Sequence, residues 1–311
     1  MSRSWGHRRT LLSALALCLA ASLAAILPTT SGAVAAPAAV SAQAEPTDEE
    51  LAADQAQTPA SCGRPPINAC RLTWYGAQAP TLVVWGDSHM WMMTPAVVGA
   101  LAGDQVNVVM FFLGGCTPAL PDMELYAGNA CAELSMDALS YLQKLKAKGR
   151  PFRLLVGAFW GANLDRLFWY ENQESRDVMA QRRGYAQAFS RPLFPWLGRE
   201  GIRTDVLMGG PISVPPSDCG QGTWPFWCPV PRRQAYYKDT YIRNWLARRM
   251  SHLPAGARLV DYSRGICSAT TCEAVVDGVH TWYDPYHVSA TKAAELTRFF
   301  RPSVDRLLRS R

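Results

Sequence analysis

The chain has 311 residues, of which 49% are apolar and 18% are charged, and its formal net charge is +6. This length and composition suit one or two globular domains and exclude a mostly disordered chain. No dense run of Lys and Arg interleaves with aromatic residues, so we expect no nucleic-acid partner.

The first 44 residues have the layout of a secretory signal. Three arginines precede an apolar stretch from Leu11 to Leu27, and small-residue cleavage sites follow at residues 33–35 and 42–44. This order of basic, apolar and small residues is typical of a cleaved signal peptide. We therefore predict an exported protein with a signal peptide at residues 1–44. An uncleaved membrane anchor is the alternative, because the apolar stretch is almost long enough to span a bilayer.

Residues 45–59 are rich in Ala, Gln, Pro and acidic residues and show no apolar periodicity. This composition predicts a flexible spacer, followed by one catalytic domain at residues 60–311. Residues 1–59 hold three of the 31 basic residues and five of the 25 acidic ones, so the remaining chain is more basic than the whole. This excess indicates a solvated basic face or an affinity for anionic envelope polymers.

Strand-like and helix-like segments alternate along the rest of the chain. Five apolar runs predict buried strands at residues 81–85, 106–113, 152–158, 204–208 and 257–261. Helical spacing occurs at residues 90–101, 132–148, 233–252 and 289–308, and in the second half of 159–197. The alternation predicts a single doubly wound α/β domain with a mostly parallel, five-stranded sheet. In such a sheet the ligand site lies beyond the carboxyl ends of the strands.

Eight cysteines follow Cys18, and they fall into four close couples. An even number of locally coupled cysteines in an exported chain indicates structural disulfides. The nearest-neighbour pairs are Cys62/Cys70, Cys116/Cys131, Cys219/Cys228 and Cys267/Cys272. Zinc is the alternative, but the spacings vary and no His lies beside the couples. We expect neither a metal nor a cofactor.

Ser88 is the candidate nucleophile, because it follows a predicted strand and Gly86 and precedes a predicted helix. Such a turn exposes the hydroxyl, and the helix N-terminus offers N–H groups to an oxyanion. A serine also needs a base, and His287 stands three residues after Asp284, which can orient its ring. Helix capping is the structural alternative for Ser88, as a capping or core role is for His287. His280 is a rival base.

These residues resemble the SGNH (GDSL-type) hydrolase superfamily. They are most similar to the SGNH domains that are fused to, or work with, family 3 membrane acyltransferases that O-acylate bacterial envelope polysaccharides. The first block, which ends in Trp-Gly-Asp-Ser-His, corresponds to residues 83–89. The further blocks are Gly114-Gly115-Cys116, the loop 211–228 with its cysteine couple, the couple Cys267/Cys272, and Asp284-x-x-His287-x-Ser289. The resemblance covers residues 60–308.

The resemblance implies that Ser88 is the nucleophile, His287 the base and Asp284 the acid that orients it. It also implies an oxyanion hole formed by the N–H of Ser88 and the N–H of Gly114 or Gly115. Many members add an Asn side chain after the third strand, but this chain has no Asn at that spacing. Asn163 is the nearest substitute, and Phe159 stands where the acyltransferase-linked domains have Arg.

The resemblance further implies an esterase or O-acyltransferase that acts on acyl esters, chiefly acetyl esters, of cell-envelope glycans through an acyl-Ser88 intermediate. After residue 44 no apolar segment approaches 18 residues, so any membrane acyltransferase that donates the acyl group is expected to be a separate partner. The substrate is then an acylated glycan or a small acyl ester. Two alternatives are a secreted lipase-like or small-ester hydrolase and a catalytically inactive glycan-binding module.

Overall fold

The computed structural model describes residues 47–58, 62, 69–121, 129–160, 190–213, 228–236 and 239–310. All of them lie in one compact unit. The strands are Ala69–Thr73 (β1), Thr81–Gly86 (β2), Asn107–Phe112 (β3), Phe152–Gly157 (β4), Thr204–Leu207 (β5), Val230–Pro231 (β6), Arg258–Val260 (β7), Thr271–Cys272 (β8), Val275–Val276 (β9) and Val279–His280 (β10). The central sheet has the order β1-β3-β2-β4-β5-β7.

The predicted α/β fold with a mostly parallel sheet is confirmed, although the sheet has six strands instead of five. The five predicted strands are parallel to one another, and β1 is added at the edge, antiparallel to β3. This extra strand, Ala-Cys-Arg-Leu-Thr, is short, mixed in polarity and irregular between Arg71 and Thr73. An edge strand is only partly buried, so its sequence lacks the continuous apolar run of the central strands.

The helices are Asp48–Ala53 (α1), Ser88–Trp91 (α2), Thr94–Gly99 (α3), Ala130–Ala147 (α4), residues 190–199 (α5), Arg232–Ala235 (α6), Asp239–Met250 (α7), Ala290–Glu295 (α8) and Thr297–Leu308 (α9). Three of the predicted helices are therefore each divided in two. The break before α3 coincides with Pro95 in its first turn, where the missing N–H cannot continue the preceding helix. No helix in the described part of the chain is long and apolar enough to cross a membrane.

Both faces of the sheet are covered by apolar side chains, as its continuous apolar strands require. On one face Leu82 and Val84 of β2 pack with residues of α3, α8 and α9. On the other face Val83 and Trp85 of the same strand pack with residues of α4, α5 and α7. Side chains of β2 thus alternate between the two faces, and the sheet lies between two layers of helices. This three-layer arrangement leaves the ends of the strands available to ligands.

Residues 47–58 differ from the flexible spacer predicted for 45–59, because they contain the helix α1. Thr47 and Glu50 form a reciprocal capping box at its start, a Thr-x-x-Glu pattern that the sequence already carries. Leu51 is buried, and Asp54 accepts hydrogen bonds from the backbone N–H and the hydroxyl of Thr291. This part of the segment is therefore attached to the beginning of α8.

Three of the predicted disulfides are present. Cys62–Cys70 attaches the preceding chain to the edge strand β1, and Cys116–Cys131 joins the loop after β3 to the start of α4. Cys267–Cys272 closes the short segment before β9. Cys228 is also disulfide-bonded, but its predicted partner Cys219 lies outside the described residues. Each of the three described pairs therefore attaches a loop to a neighbouring strand or helix.

Candidate active site

The carboxyl ends of the central strands bring the predicted sequence blocks together. Gly86, the last residue of β2, lies opposite Gly157 of β4 on one side and Phe112 of β3 on the other. The turns that follow these strands therefore meet at one edge of the sheet, which we call the carboxyl edge. Ser88 stands in the first of these turns, and Gly114 and Gly115 stand in the second.

The turn before Ser88 is fixed by close packing and by the side chain of Asp87. A Cβ atom on Gly86 would collide with the carbonyl oxygen of Gly157 and with Met90, so only glycine fits there. Asp87 is almost fully buried, and its Oδ1 accepts the N–H of His89 at 2.9 Å as an N-cap. Its Oδ2 accepts the N–H of Phe159 at 2.8 Å, which joins the turn to the end of β4.

Ser88, His287 and Asp284 form a continuous hydrogen-bonded chain. Ser88 Oγ lies 2.8 Å from His287 Nε2, although the two residues are 199 positions apart in sequence. His287 Nδ1 lies 2.7 Å from Asp284 Oδ2 and 2.9 Å from Oδ1. Asp284 Oδ1 also accepts the backbone N–H of His287 and of Tyr286, both at 2.8 Å. These contacts orient the imidazole so that Nε2 faces the hydroxyl, as a general base requires.

The loop that carries His287 is anchored at both ends. The indole N–H of Trp282 donates to the carbonyl of Pro211 at 3.1 Å, and Trp282 is fully buried. The N–H of Val288 contacts the sulfur of Met92, which lies just after α2. The turn that carries Ser88 and the loop that carries His287 are therefore packed directly against each other, which fixes the distance between Ser88 and His287.

Four aromatic rings, those of Phe159, His89, His287 and Tyr283, lie in succession and form what we call the ring stack. His89 stacks on Phe159 with 4.1 Å between ring centroids and lies 5.1 Å from the ring of His287. His287 also stacks on Tyr283 at 5.6 Å. The imidazole of His287 is thus in contact with two neighbouring rings as well as with Asp284.

Two members of the ring stack have shifted acid–base properties. Burial lowers the pKa of His89 well below its ordinary value, and the neighbouring His287 lowers it further. Burial also raises the pKa of the Tyr283 phenol, with a further contribution from the charge of Asp284. His89 and Tyr283 are therefore both neutral near pH 7, so that neither opposes a positive charge on His287.

The carboxylate of Asp87 shapes the turn by hydrogen bonding, whereas the ring of His89 contributes through packing. The contacts of Phe159 with Asp87 and His89 and the contact of Tyr283 with His287 were not predicted from the sequence. The rival base His280 lies in β10, where its carbonyl accepts the hydroxyl of Ser289.

Of the three other residues predicted for the oxyanion hole, the structure describes two. Gly114 and Gly115 follow β3, and Gly115 has a positive φ of 71°, which favours glycine in this turn. Asn163 lies outside the described residues. Within the part of the chain that is described, no group of three or more His, Cys, Asp or Glu residues could hold a metal ion.

The family of this chain follows from its match to a family model. The model of the SGNH domain that is fused to AT3 domains matches residues 53–302. The chain is a member of this SGNH family. Its members are serine esterases or acyltransferases, so this SGNH domain is an enzyme that acts on acyl esters.

Solved structures with a similar fold include three proteins of low sequence identity. The first is the periplasmic domain of a Salmonella ser. Paratyphi A lipopolysaccharide acetyltransferase, with 12% identity, a TM-score of 0.43 and coverage of 72% of the SGNH domain's chain and 83% of its own. The second is a putative arylesterase from Agrobacterium tumefaciens str. C58, with 17% identity, a TM-score of 0.41 and coverage of 73% and 99%. The third is a carbohydrate acetylesterase family member from Sinorhizobium meliloti, with 13% identity, a TM-score of 0.38 and coverage of 74% and 99%. No curated protein matches the chain in sequence.

The ring of His89 is replaceable by a phenyl ring, because its buried Nδ1 has no hydrogen-bond partner among the described residues. We expect His89→Phe to unfold with a free energy within about 1 kcal/mol of wild type at pH 7.5. At pH 5 the variant should be more stable than wild type by up to about 2 kcal/mol. The unfolded chain binds a proton on His89 below about pH 6.5, whereas the folded chain resists it, so wild-type stability falls as the pH falls.

Urea denaturation of both proteins at the two pH values measures this difference, and His89→Ala serves as the control for loss of the ring. The alanine variant should be less stable than wild type at both pH values, because it leaves a cavity between Phe159 and His287. Parallel pH dependence of wild type and His89→Phe would show that His89 is not held neutral by the fold.

Proposed function

We propose that Ser88, His287 and Asp284 are the catalytic nucleophile, base and orienting acid of an exported esterase or O-acyltransferase. The proposed substrates are acyl esters, chiefly acetyl esters, of cell-envelope glycans. The observation that supports this most directly is the hydrogen-bonded chain from Ser88 Oγ through the His287 ring to Asp284. Capping alone would not require an imidazole against the hydroxyl of Ser88.

The proposed reaction has two acyl-transfer steps. Ser88 Oγ attacks the acyl carbonyl carbon while His287 Nε2 takes the hydroxyl proton, and Asp284 stabilises the resulting imidazolium. The tetrahedral intermediate collapses when His287 returns the proton to the leaving alcohol, and an acyl-Ser88 ester remains. Water or a sugar hydroxyl then attacks this ester with His287 again as the base, which releases the acyl group and restores Ser88.

The negative oxygen of each tetrahedral intermediate needs fixed hydrogen-bond donors. We assign these to the N–H of Ser88, at the start of α2, and to the N–H of Gly114 or Gly115. The second turn lies beside the first because β3 pairs with β2 up to Gly86. Each such donor contributes roughly 3 kcal/mol to transition-state stabilisation. Asn163 is proposed as a further donor.

Family membership and the disulfides support the proposals of a glycan substrate, of export and of a membrane partner. Members of this family are fused to AT3 domains, which favours a membrane acyltransferase as the acyl donor. Three disulfides within the described residues suit an oxidising compartment outside the cytoplasm. The signal-like residues 1–44 are consistent with that location.

The test is to trap the acyl-enzyme. Purified protein is incubated with p-nitrophenyl acetate, quenched in acid and digested, and we expect mass spectrometry to find an acetyl group on the peptide that contains Ser88. Addition of a deacetylated envelope polysaccharide should speed the loss of this acetyl group. Acetylated polysaccharide would then identify a transferase, and free acetate alone would identify an esterase.

Turnover with no acetyl group on Ser88, under conditions that trap other acyl-enzymes, would contradict the proposed nucleophile. Complete absence of turnover, combined with retention on a column of the polysaccharide, would favour the inactive glycan-binding module. Preference for long-chain over acetyl esters would favour the lipase-like alternative. The described residues give no specific support to either alternative.

A further inference from the structure

We propose that the edge of the sheet opposite the candidate active site docks onto an anionic lipid membrane surface. We call this edge, at which the parallel strands begin, the amino edge. It collects exposed basic side chains from helix ends and loops, and it also carries two exposed aromatic residues. The inference does not depend on the proposed catalytic function, because it uses none of the residues at the carboxyl edge.

Several helices end at the amino edge with basic residues. In a parallel α/β sheet each crossover helix returns the chain to the edge where the next strand begins. The last turn of α4 carries Lys144 and Lys146, and the last turn of α7 carries Arg248 and Arg249. Arg306 lies in the last turn of α9. Favourable interaction with the helix dipoles explains part of this pattern.

The loops add basic residues that helix dipoles do not explain. Exposed Lys148 and half-exposed Arg150 precede β4, and exposed Arg203 precedes β5. None of the three has an ion-pair partner among the described residues. The charges of Arg306, Arg203 and Arg258 act together on Arg153 at the start of β4, where they add to the lowering of its pKa by burial, against the opposing charge of Asp205.

Acidic residues on the same edge are already engaged with basic ones. Glu200 pairs with Lys146 at 2.9 Å, and Asp104 pairs with Arg301 at 2.7 Å. Asp205 is completely buried beside Arg153. The amino edge therefore presents uncompensated positive charge to the solvent, and an anionic surface is the complementary partner.

Two aromatic residues favour a membrane over a soluble anionic polymer. Trp74 and Tyr75 follow β1, which runs antiparallel and so ends at the amino edge, and they are 43% and 50% exposed. Their position is fixed there, because the N–H of Tyr75 donates to Asn107 at the start of β3. Exposed Trp and Tyr are typical anchors at the interface of a bilayer, where ring and polar group are both accommodated.

The test is sedimentation of the mature chain, residues 45–311, which forms one compact unit, with lipid vesicles. We expect binding to vesicles of phosphatidylglycerol and phosphatidylcholine at about 0.05 M NaCl, strong weakening at about 0.5 M, and little binding to pure phosphatidylcholine. The double variant Lys148→Glu/Arg203→Glu should bind at least about tenfold more weakly, because each basic residue near such a surface strengthens binding several-fold. Trp74→Ala/Tyr75→Ala should also reduce binding.

The matched control is Arg233→Glu/Arg264→Glu, which changes the net charge equally at exposed positions away from the amino edge. It should bind vesicles as wild type does, and so should Ser88→Ala, which separates this inference from the proposed catalysis. All double variants should retain hydrolysis of a soluble ester. An equal loss in the control variant would overturn the proposal, as would binding to a soluble polyuronate in place of vesicles.

Discussion

Ser88→Ala is expected to lower kcat/KM for p-nitrophenyl acetate by about 10⁴- to 10⁶-fold, to the level that binding and the oxyanion donors alone provide. The reason is that no other hydroxyl occupies the position 2.8 Å from His287 Nε2 in the described structure. The measurement is release of p-nitrophenol by matched preparations of wild type and variant, with circular dichroism to establish that both are folded.

The two candidate bases provide the control. His287→Gln should lose activity to the same order, and the double variant Ser88→Ala/His287→Gln should be no worse than either single variant, because the residues act as one unit. His280→Gln should retain most of the activity, since His280 lies in β10 and its carbonyl accepts the hydroxyl of Ser289. Loss of activity in His280→Gln together with an active His287→Gln would make the assignment of the base wrong.

Asp205→Ala is expected to reduce the free energy of unfolding by about 3–5 kcal/mol, because it leaves a buried arginine without its opposite charge. Arg153 in β4 lies 3.3 Å from Asp205 in the neighbouring strand β5, and their side chains are 7% and 0% exposed. Burial raises the pKa of Asp205 against the opposing charge of Arg153, and it lowers the pKa of Arg153 in the same way. For both residues, the loss of hydration on burial therefore has a larger effect on the pKa than the attraction between the two charges.

Urea denaturation of Asp205→Ala, with Asp305→Ala as the control, measures the effect. Asp305 also pairs with an arginine, Arg301, but both side chains are about one third exposed, so its loss should cost less than about 1 kcal/mol. The paired replacement Arg153→Met/Asp205→Leu should recover most of the stability, since it removes both buried charges. Similar losses in Asp205→Ala and Asp305→Ala would contradict the importance of burial.

The sequence predicted those elements whose local pattern matches their burial. The five parallel strands were found because each contains a mostly apolar run, as in residues 81–86. The edge strand β1 was missed because it is only partly buried, and α1 was missed because its signal is a capping box in an otherwise polar segment. The break before α3 was also missed, although Pro95 in its first turn is a local signal for it.

The candidate site, like the fold, was predicted only in part. The residue types Ser88, Asp284 and His287 were identified from the blocks on which the family resemblance rests, and the local disulfide pairs were identified from their spacing. The ring stack was not, because Phe159 reaches His89 from the end of another strand and because the spacing of Tyr283 and His287 alone does not show that their rings stack. The same holds for the hydrogen bond from Phe159 to Asp87, which spans 72 positions.

By itself, the sequence determined the α/β class, the turn after β2 and the candidate catalytic residues, because each of them depends on a pattern of residues that are close together in the chain. Only the tertiary structure decided that Ser88 and His287 are in contact across 199 positions. It also decided that His89 is buried as a neutral ring and that the basic residues gather at the amino edge. The physical reason is that sheet order and register set which distant segments become neighbours, and desolvation and charge then act on those neighbours.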